Sequence, residues 1–161
     1  MDKKRTVDGE IDHLSMMSWR KQNNIFYIHM SKPDQVVHVN DFGLEMVGKS
    51  CGLMRIFGRV KLKDNFENLS VNQKRLFLCS DLVLPESILS GGVELPVLCE
   101  LMLQEKEDNI FLEPSNPLWL NVNENLLTDI RLFIRNGDNQ TPSVEECFLN
   151  CTLLVYKPSR K

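Results

Sequence analysis

No uninterrupted apolar stretch in the 161 residues approaches the roughly 18 that a membrane-crossing helix needs, so membrane insertion by a helix is not expected. Basic excess is missing too. Nineteen Lys and Arg stand against 22 Asp and Glu, a formal net charge of −3. A dedicated nucleic-acid binder carries a clear surplus of Lys and Arg, so no specific nucleic-acid partner is expected. Histidine is scarce: His13, His29 and His38 are scattered through the N-terminal quarter. None has a motif-level Ser, Cys or acidic partner, and nucleophile-elbow, zincin and phosphate-loop patterns are absent. The chain therefore reads as a non-enzyme without a cofactor. Cysteine is present but poorly arranged for metal. Cys51, Cys79, Cys99, Cys147 and Cys151 make an odd count, most of them inside apolar runs. They read as buried, reduced thiols serving as small hydrophobes. The one close pair, Cys147 and Cys151, has three residues between its members and no second pair or His cluster to complete four ligands. No metal is expected.

The N-terminus opens Met1-Asp2-Lys3-Lys4-Arg5 and stays polar. It lacks the apolar stretch of a secretory signal, which predicts synthesis in the cytosol. Three basic residues are a short match to a nuclear-import signal. The triplets at Asn68, Asn139 and Asn150 match the glycosylation pattern but read as accidental in an Asn-rich chain without a signal.

What is present suits one globular domain: 42% hydrophobic and 25% charged residues, in a chain long enough to bury a core without staples. Residues 1–24 read as an N-terminal arm, with Arg20, Lys21 and a weak helical spacing of Ile11, Leu14 and Met17. Residues 25–158 read as the folded domain and 159–161 as a tail. From Ile25 the period becomes two, the mark of strands. Phe26, Ile28 and Met30 alternate with Tyr27 and His29, and Val36–Val39 is a second short candidate. In Leu53–Lys63 the residues Met54, Ile56, Val60 and Leu62 take one face, with Gly58 in phase. Arg55, Arg59, Lys61 and Lys63 take the other. That basic stripe has two readings, an electrostatic contact surface or a solvated face that discourages aggregation.

Lys74–Leu84 is apolar on both faces and predicts a central strand covered on both sides. Leu76, Leu78 and Leu82 lie opposite Phe77, Cys79 and Val83. Pro85, Ser87 and Gly91-Gly92 then break the run around one helical turn. Val97–Leu103 places Val97, Cys99, Leu101 and Leu103 inward. Asn109–Leu112 and Pro117–Val122 are shorter strand-like pieces. Thr128–Arg135 points Ile130, Leu132 and Ile134 in and Asp129, Arg131 and Arg135 out. Asn136–Asn139 is a turn, because Asn and Gly tolerate positive φ. Phe148–Tyr156 puts Leu149, Cys151, Leu153 and Val155 on the core face. The fold class expected is all-β, a single eight-stranded antiparallel jelly-roll sandwich with an N-terminal arm.

The C-terminal half carries a family resemblance. Phe77-Leu78-Cys79-Ser80-Asp81-Leu82-Val83, Val93-Glu94-Leu95-Pro96-Val97-Leu98, Asn116-Pro117-Leu118-Trp119-Leu120, the segment Thr128 to Gly137, and Cys151-Thr152-Leu153-Leu154-Val155 follow in order. Their succession over about residues 74–156 resembles the single jelly-roll minor capsid (penton-type) proteins of Maverick/Polinton elements and adintoviruses. The positions that carry the likeness are Cys79, Asp81, Pro96, Asn116, Pro117, Trp119, Ile130, Ile134 and Arg135. Asn136, where that family favours Asp, and Cys99-Glu100, where an Arg is common, depart from it. The stretch between the first and third strands is also short.

The resemblance implies a structural virion protein, a penton-like minor capsid subunit whose five copies form a capsid vertex. Its partners would be itself, as a homopentamer, and a major capsid protein of the double jelly-roll type, with residues 1–24 reaching to neighbours. It implies a virion location after synthesis in the host cytoplasm, with the nucleus a candidate site of assembly. Arg55, Arg59, Lys61 and Lys63 are the candidate interface residues. If the fold follows the family, Ile25–Met30 lies beside Phe148–Val155 in one sheet. The alternative is a ligand- or peptide-binding β-sandwich module: lectin-like, cytokine-like, or an intracellular adaptor that takes peptides along a sheet edge.

Overall fold

The structure, a computed structural model, describes residues 17–20, 25–38, 50–85, 87–88, 92–103, 108–123 and 129–156. Alternating side chains leave each extended segment with one apolar face and a row of unpaired backbone groups on either side. Both demands are met by pairing into sheets and stacking the sheets. Twelve strands are found among the described residues: β1 (Met17–Arg20), β2 (Ile25–Met30), β3 (Asp34–His38), β4 (Ser50–Leu62), β5 (Arg75–Ser80), β6 (Ser87–Ile88), β7 (Glu94–Leu95), β8 (Val97–Met102), β9 (Asn109–Leu112), β10 (Leu118–Asn121), β11 (Asp129–Asn136) and β12 (Val144–Tyr156). One sheet, A, has the order β1-β2-β12-β4-β10, with β9 also paired to β4. The other, B, has the order β3-β11-β5-β8, and β6 and β7 form a separate ribbon. Every pairing is antiparallel. The chain crosses repeatedly between sheets, so strands adjacent in sequence rarely pair.

The core lies between A and B. Ile28, Leu53, Ile56, Val60, Leu149, Cys151 and Leu153 from A meet Val37, Leu76, Leu78, Leu101, Ile130, Leu132 and Ile134 from B. The predicted neighbourhood of the two chain ends is present: Met30 lies opposite Leu149 and Ile25 opposite Leu154. A short helix, α1 (Val71–Lys74), precedes β5. It is held by a capping box in which Ser70 Oγ accepts from the Gln73 amide at 3.2 Å and Gln73 Oε1 accepts from the Ser70 amide at 2.9 Å.

Several expectations need correction, and β-bulges explain those at Met54 and Val97. Thr152 is paired with Arg55 but Leu153 with Leu53, so Met54 is an extra residue on β4. A bulge swaps the faces beyond it. Leu53 and Cys51 are therefore fully buried, while Met54, expected inward, is only half-buried. Leu78 pairs with Cys99 but Cys79 with Val97, which makes Leu98 the extra residue on β8. Leu98 and Cys99 both enter the main core, and Val97 packs instead with Phe77, Cys79, Leu95 and Phe133 on the far side of sheet B. A third bulge at Glu145 separates Val144, opposite Leu62, from Glu146, opposite Lys61.

Among the described residues there are twelve strands where eight were expected. β1 adds an edge to sheet A within the segment read as an arm, so Met17 belongs to a strand and not to a helical spacing. The stretch after Pro85 contributes the β6–β7 ribbon and no described helical turn. Lys74 ends α1 instead of starting β5, and Leu82 and Val83 both join the main core beyond the strand. In the turn after β11, Asn139 carries the positive φ of 62° while Gly137 does not. Gly137 serves close approach: its amide donates to the Asn72 carbonyl at 2.8 Å, and a Cβ there would lie 2.9 Å from that oxygen. Residues 1–16, which include His13, Ile11 and Leu14, lie outside the described residues, as do Val39, Gly91, Thr128 and the 159–161 tail.

Candidate interaction surface

Cys79, Asp81, Pro96, Asn116, Pro117, Trp119, Ile130, Ile134 and Arg135 fall in different parts of the sandwich. Asp81 follows the last backbone pair of β5 with β11, Ser80 with Leu132. Its Oδ1 accepts from the Arg131 amide at 2.9 Å, and its own amide donates to the Arg131 carbonyl at 3.3 Å, so a side chain extends the ladder by one rung. Burial raises the Asp81 carboxyl above its ordinary range, against the lowering effects of the Arg131 amide and guanidinium. Asn123 Nδ2 donates to the Asp81 carbonyl at 3.3 Å, and Val83 bridges to Val122, which ties the end of β5 to the strand region after β10. Pro96, between β7 and β8, accepts from the Ser80 amide at 2.9 Å. Ile130 and Ile134 are fully buried. Pro117 and Trp119 lie over Gly52, where a Cβ would come within 2.8 Å of Pro117 and 3.0 Å of the indole. Asn116 is exposed just before them.

Nothing in this set gathers into a reactive centre. All five cysteines are buried and unbridged. Burial pushes Cys51, Cys79 and Cys99 up to about 12 and Cys147 up to about 11, and raises Cys151 as well. Such thiols stay protonated and unreactive at neutral pH. Among the described residues no three His, Cys, Asp or Glu side chains are grouped to hold a metal ion. His29 Nδ1 is hydrogen-bonded to Asn150 Oδ1 across β2 and β12. A groove of about 310 Å³ beside the end of β4 is lined by Lys61, Lys63 and Phe66 together with Asp64, Asp108 and Glu145, a mixture of signs.

The two outer faces of the sandwich differ. On sheet B the aromatics are covered. Phe77 and Phe133 are each 6% exposed. The Arg75 guanidinium stacks on Phe77 at 5.1 Å, and Arg131 and Arg135 both stack on Phe133 at 4.6 Å. These arginines have their own partners. Arg75 makes two bonds to Glu100 at 2.9 and 3.1 Å, Arg131 two to Asp34 at 2.9 and 2.5 Å, and Arg135 one to Thr141 at 3.0 Å. The Arg131 hydrogen bond lowers the Asp34 carboxyl below its ordinary range. Leu95 of the β6–β7 ribbon completes the cover.

No protein-family model, curated protein or solved structure matches this chain.

On sheet A three phenylalanines are open. Phe57 of β4 lies directly opposite Phe111 of β9 and opposite Asn150 of β12. Phe148 sits two residues before Asn150, on the diagonal from Phe57, a distance that phenyl rings span. The three are 38%, 65% and 51% exposed. Gly58 makes the close pairing beneath them: its φ is 154°, and a Cβ there would lie 2.1 Å from the Phe148 carbonyl oxygen.

The basic stripe shares this face. Arg55 stacks on Phe57 at 5.4 Å. Arg59 pairs with Glu146 at 3.1 Å and Asp108 at 3.5 Å, and Lys61 with Glu145 at 3.4 Å. Lys63 lies exposed beyond the strand, its amide bonded to the Ser143 carbonyl. Reading the sequence as a basic stripe overlooked these carboxylates, which come from β12 and from the approach to β9. It also overlooked the three phenylalanines. Their signal was present: Phe57 falls in phase with Arg55 and Arg59, and Phe148 out of phase with Leu149 and Cys151.

Proposed function

We propose that this chain is a structural shell protein: a jelly-roll, penton-like minor capsid subunit that closes into homopentamers. The observation that carries the reading is the strand order. Setting aside β1 and the β6–β7 ribbon, and counting β9 and β10 as one interrupted strand, the chain has eight strands in sequence. Sheet A then holds the first, eighth, third and sixth, and sheet B the second, seventh, fourth and fifth. That order matches a jelly roll, an architecture of capsid and lectin domains, and so supports the reading. It fits the resemblance of residues 74–156 to penton-type proteins, and Cys79, Ile130 and Ile134 among those positions are buried in the sandwich.

The physics suits the task. A two-sheet sandwich is a stiff block, and a closed ring needs one surface of each block to meet a different surface of the next. Mass in solution tests the proposal. Light scattering after size-exclusion chromatography, with negative-stain images, is expected to give five copies of the 18.6 kDa chain, about 93 kDa, as rings. A chain that remains monomeric at high concentration and binds a saccharide or peptide would replace the proposal with the ligand-binding alternative.

A further inference from the structure

We propose that the aromatic face of sheet A, centred on Phe57, Phe111 and Phe148, is the seat of a neighbouring copy of this chain. This rests on the reading of the chain as a self-assembling subunit and names the surface it would use.

Area is the first argument. A phenylalanine side chain offers about 200 Å², so exposures of 38%, 65% and 51% leave roughly 300 Å² of phenyl surface open to water. Trp119, 48% exposed on the same face over Gly52, adds about 100 Å². One side of a standard protein interface covers about 800 Å², of which somewhat over half is apolar. The strip thus supplies most of the apolar area that one partner in a stable interface contributes. It is also as large as the largest apolar patch on a typical monomer, a size often associated with function.

Charge is the second argument, and it selects the occupant. Arg55, Arg59 and Lys61 on this face are balanced by Asp108, Glu145 and Glu146. A strongly acidic or basic partner gains nothing over the other. A surface with both signs, such as another copy of this chain carries, meets no net repulsion. The existing pairs are 3.1 to 3.5 Å long with side chains 37% to 54% exposed, so they can re-form across a contact. Sheet B supplies the contrast within one molecule. There, three arginines and the β6–β7 ribbon bring Phe77 and Phe133 to 6% exposure. On sheet A Arg55 stacks on Phe57, yet Phe57, Phe111 and Phe148 keep 38%, 65% and 51% exposure.

The test compares the full chain with F57S/F111S/F148S, with the single variant F111K, and with V36S/V71S as a control at exposed valines elsewhere. Thermal unfolding and circular dichroism establish that each variant is folded, and light scattering over a concentration series reads assembly. The expected result is assembly of wild type and of the valine control. F111K is expected to assemble at least 10-fold more weakly, and the triple variant at least 100-fold. Pentamers that persist unchanged in the triple variant and in F111K would overturn this inference and leave the shell reading intact. A wild-type dimer lost in both variants would support the face and overturn the pentamer. Wild type that stays monomeric throughout the series would overturn both.

Discussion

Replacing Gly58 with alanine places a Cβ 2.1 Å from the Phe148 carbonyl oxygen and 2.8 Å from the Leu149 Cα. A carbon and a carbonyl oxygen tolerate each other only from about 3.3 Å. The neighbouring atom is backbone, so no rotamer change relieves the clash, and β4 and β12 must separate by about 1 Å at the centre of sheet A. The φ of 154° adds a second cost, because L-residues rarely adopt it. Backbone strain of about 1–3 kcal/mol and overpacking of about 1–3 kcal/mol together give a loss of about 2–6 kcal/mol. In a chain of this size each kcal/mol lowers the melting temperature by about 3 °C, so a fall of roughly 6–18 °C is expected. Urea unfolding, with the midpoint and slope fitted separately, measures the loss directly. Gly92→Ala is the internal comparison. Its φ is 80° but no atom lies within 4 Å of the added methyl, so it bears the backbone cost alone, about 1 kcal/mol. The reasoning is wrong if G58A unfolds within about 0.5 kcal/mol of wild type, or no earlier than G92A.

Two further outcomes are expected. Leu53→Ala should cost about 2–5 kcal/mol because Leu53 is fully buried, and Met54→Ala distinctly less; equal losses in urea unfolding would contradict the bulge at Met54. Asp81→Asn keeps an Oδ1 for the Arg131 amide and removes a carboxylate whose pKa burial has raised. A raised carboxyl binds its proton more tightly when folded, so wild type gains stability from this group as pH falls through the folded pKa, the gain being complete below the unfolded value of about 3.9. D81N should therefore equal or exceed wild type in stability at pH 7, and its advantage should shrink on acidification. Asp34, whose lowered carboxyl works in the opposite direction, is common to both proteins and cancels in the difference. An advantage that grows as pH falls would refute this assignment.

The candidate surface was less legible than the fold. Arg55, Arg59, Lys61 and Lys63 form one stripe in the sequence because they share a parity, which is a local property. The carboxylate partners of Arg59 and Lys61 come from residues 49 to 87 positions away, which no window on β4 contains. Phe57, Phe111 and Phe148 sit on polar faces of three separate strands, and each alone is an unremarkable exposed aromatic. They become a patch only because β9 and β12 flank β4 in one register. The cysteines were easier, since most lie inside apolar runs and need only burial to remain thiols.

Alternation along the chain was enough to establish that the protein is built of half-buried strands, because the period of two is a consequence of backbone geometry in each strand by itself. It placed Ile28, Ile56, Leu76, Ile130 and Leu149 in the core without knowledge of any partner. Tertiary structure decided where that alternation slips. The extra residues at Met54, Leu98 and Glu145 exist only relative to a paired strand, and each reassigns the side chains beyond it to the other face. It also decided which face is closed, since arginines cover Phe77 and Phe133 through contacts that the order of strands in sheet B creates.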